Sequence, residues 1–127
     1  MAPEFSRRRE KIARETVTAT DPEVLDLAHL ARYTAGNHEL EDELLRLFRA
    51  QLRTQVVTIC QTTDAEAWRF ATHTLKGVAR SIGATAIART AERLEQLGPA
   101  GRVDEVLETL ETQITACERE IDRIIDR

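Results

Sequence analysis

Trp68-Arg69-Phe70-Ala71-Thr72-His73-Thr74-Leu75-Lys76-Gly77-Val78-Ala79-Arg80-Ser81-Ile82-Gly83 is the stretch that decides how this chain folds. Its apolar residues Trp68, Ala71, Leu75, Val78 and Ile82 are spaced 3, 4, 3 and 4, the period of one face of an amphipathic helix. At about 100° per residue these positions gather on one side, and His73 falls roughly 180° from their centre. Arg69, Lys76 and Arg80 share the outer half with His73, at i−4, i+3 and i+7, so they neighbour it along the helix. Gly77, at i+4, also points outward. Glycine costs a helix interior up to about 1 kcal/mol against alanine, so its presence asks for a reason. An exposed imidazole flanked by cations, with a side chain missing one turn on, is a place where an anionic group can dock.

Outward from this stretch the chain reads as further helices. Thr62-Thr63-Asp64 is a turn and cap before the central helix, which the spacing predicts over 65–82, with Gly83 as the residue just past its end. Upstream, a helix is predicted over 39–61 with Asn37 as its N-cap and an apolar stripe of Leu40, Leu44, Leu47, Phe48, Leu52, Val56 and Ile59. A short apolar helix is predicted to start at Asp21-Pro22-Glu23 and to end near Tyr33, before the Gly36-Asn37 break. Downstream, a helix over 85–97 carries Ile87, Thr90, Ala91, Leu94 and Leu97, and Gly98-Pro99-Ala100-Gly101 is a loop. The last helix has Val103, Leu107, Leu110, Ile114, Cys117, Ile121 and Ile124 at heptad spacing. Four long amphipathic helices with short loops predict an all-α, antiparallel up-down-up-down four-helix bundle, with a short extra N-terminal helix that caps one end or lies across the top. Trp68, Leu75, Ile82, Leu94, Leu107, Leu110 and Ile114 are expected in one core. Residues 1–20, polar and carrying Arg7-Arg8-Arg9-Glu10-Lys11, read as a flexible tail, and 21–127 as the domain.

The totals narrow the function classes. With 127 residues the chain is long enough for one domain with a substantial core and no disulfides. Only 4% of residues are aromatic, which disfavours stacking platforms for single-stranded nucleic acid. The net charge of −4 argues against a general DNA binder. Cys60 and Cys117 lack metal-site spacing and read as small buried hydrophobes in a reducing compartment. No apolar run approaches the roughly 18 residues of a membrane span, and the N-terminus has no signal-peptide core. The chain reads as a cytoplasmic protein, a monomer with no nucleic-acid or membrane partner. Of 18 basic residues only Lys11 and Lys76 are lysines, so a lysine beside His73 stands out.

His73-Thr74-Leu75-Lys76-Gly77, followed by Ser81-Ile82-Gly83-Ala84, resembles the H-x-L-K-G…GA signature of histidine-containing phosphotransfer (HPt) domains of two-component phosphorelays. Asn37-His38-Glu39-Leu40 and Leu44-Leu45-Arg46-Leu47-Phe48 are similar to the helix that precedes the site in that family. The resemblance covers roughly Val24 to Gly98 and beyond that extends only to helical character. It implies that His73 is the phosphoacceptor, that Lys76 stabilises the phosphate, that Gly77 gives steric access, and that Arg69 and Arg80 widen the positive field. The family often places an amide near the phosphohistidine from the following helix; here that position is Glu95, with Gln96 beside it.

The resemblance also implies the partners: response-regulator receiver domains, whose aspartyl-phosphate supplies the group, and a hybrid histidine kinase. No P-loop or kinase glycine loop is present, so the expected role is a phosphohistidine carrier without ATP-dependent kinase activity. No cofactor of its own is expected, and no metal: no His, Cys or carboxylate lies i+3 or i+4 from His73, and Mg²⁺ is expected in the receiver. A lone exposed histidine is ordinarily just solvated surface, as His29 and His38 read here. The core stripe opposite, Lys76, Gly77 and the glycine break reverse that for His73. Two alternatives stand beside phosphotransfer. One is a helical module that binds a receiver without transfer, against which His73 and Lys76 argue. The other is a structural protein dimerising through the last helix, against which the polar Glu105, Glu108, Glu111 and Arg119 speak.

Overall fold

In a computed structural model that describes residues 21–101 and 103–126, five helices account for the regular structure and no strand occurs among the described residues. They are α1 (Leu27–Thr34), α2 (His38–Gln61), α3 (Ala65–Ser81), α4 (Thr85–Leu97) and α5 (Asp104–Ile125). Residues 1–20, expected as a tail, lie outside the described residues. Three of the helices, α1, α2 and α3, start where short polar side chains take up orphan backbone donors. Asn37 accepts from the Leu40 N–H, Asp64 from the Ala67 N–H and Asp26 from the His29 N–H.

Consecutive helices pack on one another, and α5 closes the ring against α2 as well as α4. Cross-helix pairs show the direction of travel. On α2 and α5, Arg49 meets Asp122 and Arg53 meets Glu118 and Glu111, so the partner's number falls as the first rises and the two helices run in opposite directions. Inside the ring, Trp68, Ala71, Leu75 and Ala79 of α3 meet Leu52, Val56 and Ile59 of α2, Ile87, Ala91 and Leu94 of α4, and Leu110, Ile114, Cys117 and Ile121 of α5 in one buried cluster. Burial pushes the Cys117 thiol up to about 12, which keeps it a neutral hydrophobe.

Several expectations need correction. The Asp21-Pro22-Glu23 segment forms a turn, closed by Val24 and Leu25 N–H groups on the Asp21 carbonyl, and α1 starts only after Asp26. On α2, Leu45 is fully buried while Leu40 and Leu47 are exposed. The buried line therefore runs through Leu45, Leu52, Val56 and Ile59. On α3, Ala79 lies deeper than Val78, which is only partly buried. Leu107 and Ile124 of the heptad seam are also only partly buried, and Val106 takes the inward place in the first turn of α5. Cys60 is exposed.

The turn from α3 to α4 shows why a glycine follows the central helix. Gly83 has φ +76°, its N–H donates to the Arg80 carbonyl, and the Ala84 N–H donates to the Ala79 carbonyl at 2.8 Å. This is the paired C-terminal motif that a left-handed residue makes possible. The same turn grips the N-terminal segment: Asp26 N–H donates to the Gly83 carbonyl, and Ala86 N–H donates to that of Glu23. A Cβ on Gly83 would sit 2.6 Å from the Asp26 Cβ. Gly83→Ala should therefore cost more than the roughly 1–2 kcal/mol of left-handed strain alone, read as a drop in the urea midpoint. A variant as stable as the parent would show that this clip contributes nothing.

Candidate functional site

The buried stripe of α3 fixes which side of the helix faces solvent. With Trp68, Leu75 and Ala79 inside, the opposite side carries His73, whose side chain is 69% exposed. Phe70, three residues before it, is 74% exposed despite its ring. Gly77 lies one turn beyond, and a Cβ there would meet nothing within 4 Å. Close helix packing is therefore not the reason for this glycine. The Ser81 hydroxyl donates to the Gly77 carbonyl at 2.8 Å.

The expected cations occupy different places. Lys76 does not stand free in solvent; its side chain is 13% exposed, and its ammonium donates to Glu95 Oε1 at 2.8 Å. Arg80 is exposed and lies 4.0 Å from Glu92 of α4. Arg69 is exposed one turn before His73. Glu95 is the residue that the sequence only half revealed. Its other oxygen, Oε2, lies 3.2 Å from His73 Nδ1, so one carboxylate on α4 joins lysine and histidine on α3. The hydrogen bond and charge of Lys76, with a further contribution from His73, hold the Glu95 carboxyl below its ordinary range. Position 95 was legible as the place of an amide; the link to Lys76 needed the register of α3 against α4. Gln96 is exposed beyond it. Among the described residues no group of three or more His, Cys, Asp or Glu side chains could hold a metal ion.

The register has a visible cause. The buried Trp68 indole N–H donates to the Leu94 carbonyl at 2.7 Å. Leu94 immediately precedes Glu95 and is itself fully buried, so the carboxylate is presented from a fixed point.

The helical ring thus presents the exposed His73 opposite its core, with an acid–lysine pair beside it and an open glycine one turn on. A family model, that of the Hpt domain, matches residues 43–127. The chain belongs to the Hpt domain family. Searches of curated proteins and of solved structures returned no match. The Hpt match starts within α2 and runs through α5, so it takes in the last helix and leaves out α1, unlike the narrower span of roughly Val24 to Gly98 that the motifs suggest. Membership gives the chain a phosphotransfer-related role in two-component signalling, in which Hpt domains interact with response regulators and kinases. No helix among the described residues is long and apolar enough to cross a membrane.

Two measurements probe the Hpt site's geometry. Gly77→Ala should stabilise the fold by up to about 1 kcal/mol, since its methyl enters open space and glycine is the poorer helix former. Gly77→Gln should melt within a few degrees of the parent; a large loss would mean that the position is packed. The lowered Glu95 carboxyl favours the folded state above its unfolded value near 4.5, and that contribution disappears as pH falls through the lower folded value. The stability advantage of the parent over Glu95→Gln should thus shrink between about pH 7 and about pH 3. A difference that stays constant would contradict the ion pair.

Proposed function

We propose that His73 accepts a phosphoryl group from the aspartyl-phosphate of a response-regulator receiver domain and passes it to another receiver. The observation that carries this reading is His73 itself, exposed at mid-helix on the side of α3 turned away from the core, in an Hpt domain. Imidazole is a competent nucleophile for a carrier role. Phosphoryl transfer asks the protein mainly for positioning and charge, which suits a site made of one nucleophile, nearby cations and free space. Lys76 is the phosphate-stabilising residue: an ammonium has three donors, so one can stay on Glu95 while another meets a phosphoryl oxygen. Gly77 leaves room for the receiver, and exposed Phe70 offers it an apolar contact on the same face. Arg69 and Arg80 widen the positive field.

The carrier works as a cytoplasmic monomer, an up-down-up-down four-helix bundle with a short extra N-terminal helix. It has no kinase activity and no cofactor of its own; Mg²⁺ belongs to the receiver, and a hybrid histidine kinase stands upstream. Incubation with a phosphorylated receiver should move label onto the parent chain and none onto His73→Gln, whose circular dichroism and melting temperature should match the parent because the core is untouched. Phe70→Asp should fold equally well and slow the transfer. Label retained on His73→Gln would place the acceptor elsewhere. A complex with the receiver but no label on the parent would favour a binding module without transfer.

A further inference from the structure

We infer that Arg69 is a catalytic residue for transfer at His73: its guanidinium holds oxygens of the phosphoryl group as that group moves onto and off the ring. The inference rests on the phosphotransfer reading and names, among the cations of the site, the one free to make that contact. Three cations share the outer half of α3 with His73, and the packed bundle treats them differently. Lys76 is largely buried and turns its charge to Glu95 at 2.8 Å. Arg80 lies 4.0 Å from Glu92. Arg69 is exposed and has no carboxylate within ion-pair distance among the described residues. Two acids of α4 thus offset two of the three positive charges, and the charge of Arg69 is left uncompensated. The nearest acid along the helix is the exposed Glu66, at i−3 from Arg69, and the two form no ion pair.

Position agrees with charge. Arg69 stands at i−4 from His73, a spacing at which Cβ atoms lie about 6 Å apart on one side of a helix. Helical side chains lean toward the N-terminus of their helix. The imidazole therefore leans over the turn that carries Arg69 and Phe70, and a phosphoryl group on it projects the same way. Helix α4 keeps its acids away from this turn. Its partner residue falls from Glu95 to Glu92 as α3 runs from Lys76 to Arg80. Arg69, further back on α3, lies past Glu95 and toward the end of α4 at Leu97.

The chemistry asks for such a cation. A lone pair on the His73 ring forms the N–P bond while the P–O bond to the receiver's aspartate breaks, and the electron pair of that bond leaves on the carboxylate oxygen. The return step reverses both changes. Throughout, negative charge is spread over the three oxygens that stay on phosphorus. A guanidinium carries five N–H donors in a fixed fork and engages two such oxygens at once. Lys76 adds a donor but shares its charge with Glu95. Arg69 gives up no partner to make the contact.

The test uses the full chain and phosphoramidate, a small anionic donor whose N–P bond breaks as ammonia leaves with a proton from water. Label on His73 is the difference between the parent and His73→Gln. Arg69→Ala should take up label at His73 about tenfold more slowly, the scale of one charge-assisted hydrogen bond. Arg69→Lys should recover part of that loss. Arg80→Ala, whose charge Glu92 already offsets, should change the rate by less than about twofold. All three should melt with the parent, because the replaced side chains are exposed. In the phosphorylated parent the Arg69 Nε–H resonance, assigned by its absence from Arg69→Lys, should shift and exchange more slowly with water than before loading. A rate for Arg69→Ala equal to the parent's, an equal loss in Arg80→Ala, or an Nε–H resonance indifferent to phosphorylation would each overturn the role of Arg69. No receiver enters these measurements, so a failure of receiver transfer would count against the carrier role alone.

Discussion

The hydrogen bond from the Trp68 indole to the Leu94 carbonyl is the contact on which the arrangement of the site depends. Both partners are buried, so breaking it would strand a donor and an acceptor away from water. It fixes how far α4 can slide along α3. Glu95 follows Leu94 directly, and a slip by one residue would carry its carboxylate roughly 100° around the helix, away from His73 and Lys76. The core thus does more than hold the bundle together: it sets the distance between one carboxylate and one imidazole.

Two glycines in the central stretch serve opposite ends. Gly83 is demanded by the fold, because its backbone is left-handed and Asp26 fills the space where a side chain would go. Gly77 is demanded by nothing in the fold: its conformation is helical and its surroundings are empty. A residue that weakens a helix without easing any contact points to something that arrives from outside. The exposed Phe70 ring on the same face points the same way.

How far the sequence disclosed these features depends on the local pattern. In α3 the stripe is sparse and its polar gaps are unambiguous, so the helix ends and the outward position of His73 were legible. In α2, Leu40, Leu44, Leu45 and Leu47 crowd the early turns, and two stripes about 100° apart fit almost equally well. There α2 also lies against α1, with Thr34 bonded to Glu41, so its first turns meet different neighbours from its last. Asp21-Pro22-Glu23 carries the residues of a helix start, but the chain spends them on a single turn and Asp26 provides the true cap. The i+3 spacing places Lys76 near His73 on the outer half of the helix. That spacing says nothing of α4, whose Glu95 draws the ammonium into the groove. Contacts between helices are set by register, and register is a property of the packed core.

We propose that α3 separates its work by face, with packing on one side and phosphoryl chemistry at His73 on the other. Combined phosphorus–nitrogen NMR of the chain after loading by a phosphorylated receiver tests it most directly. One phosphoryl group should be bonded to the His73 ring, with amide shifts changed around His73, Gly77 and Glu95 and unchanged at Leu75, Leu110 and Ile114. A phosphoryl group on His29 or His38 would contradict it, as would shifts spread through the core.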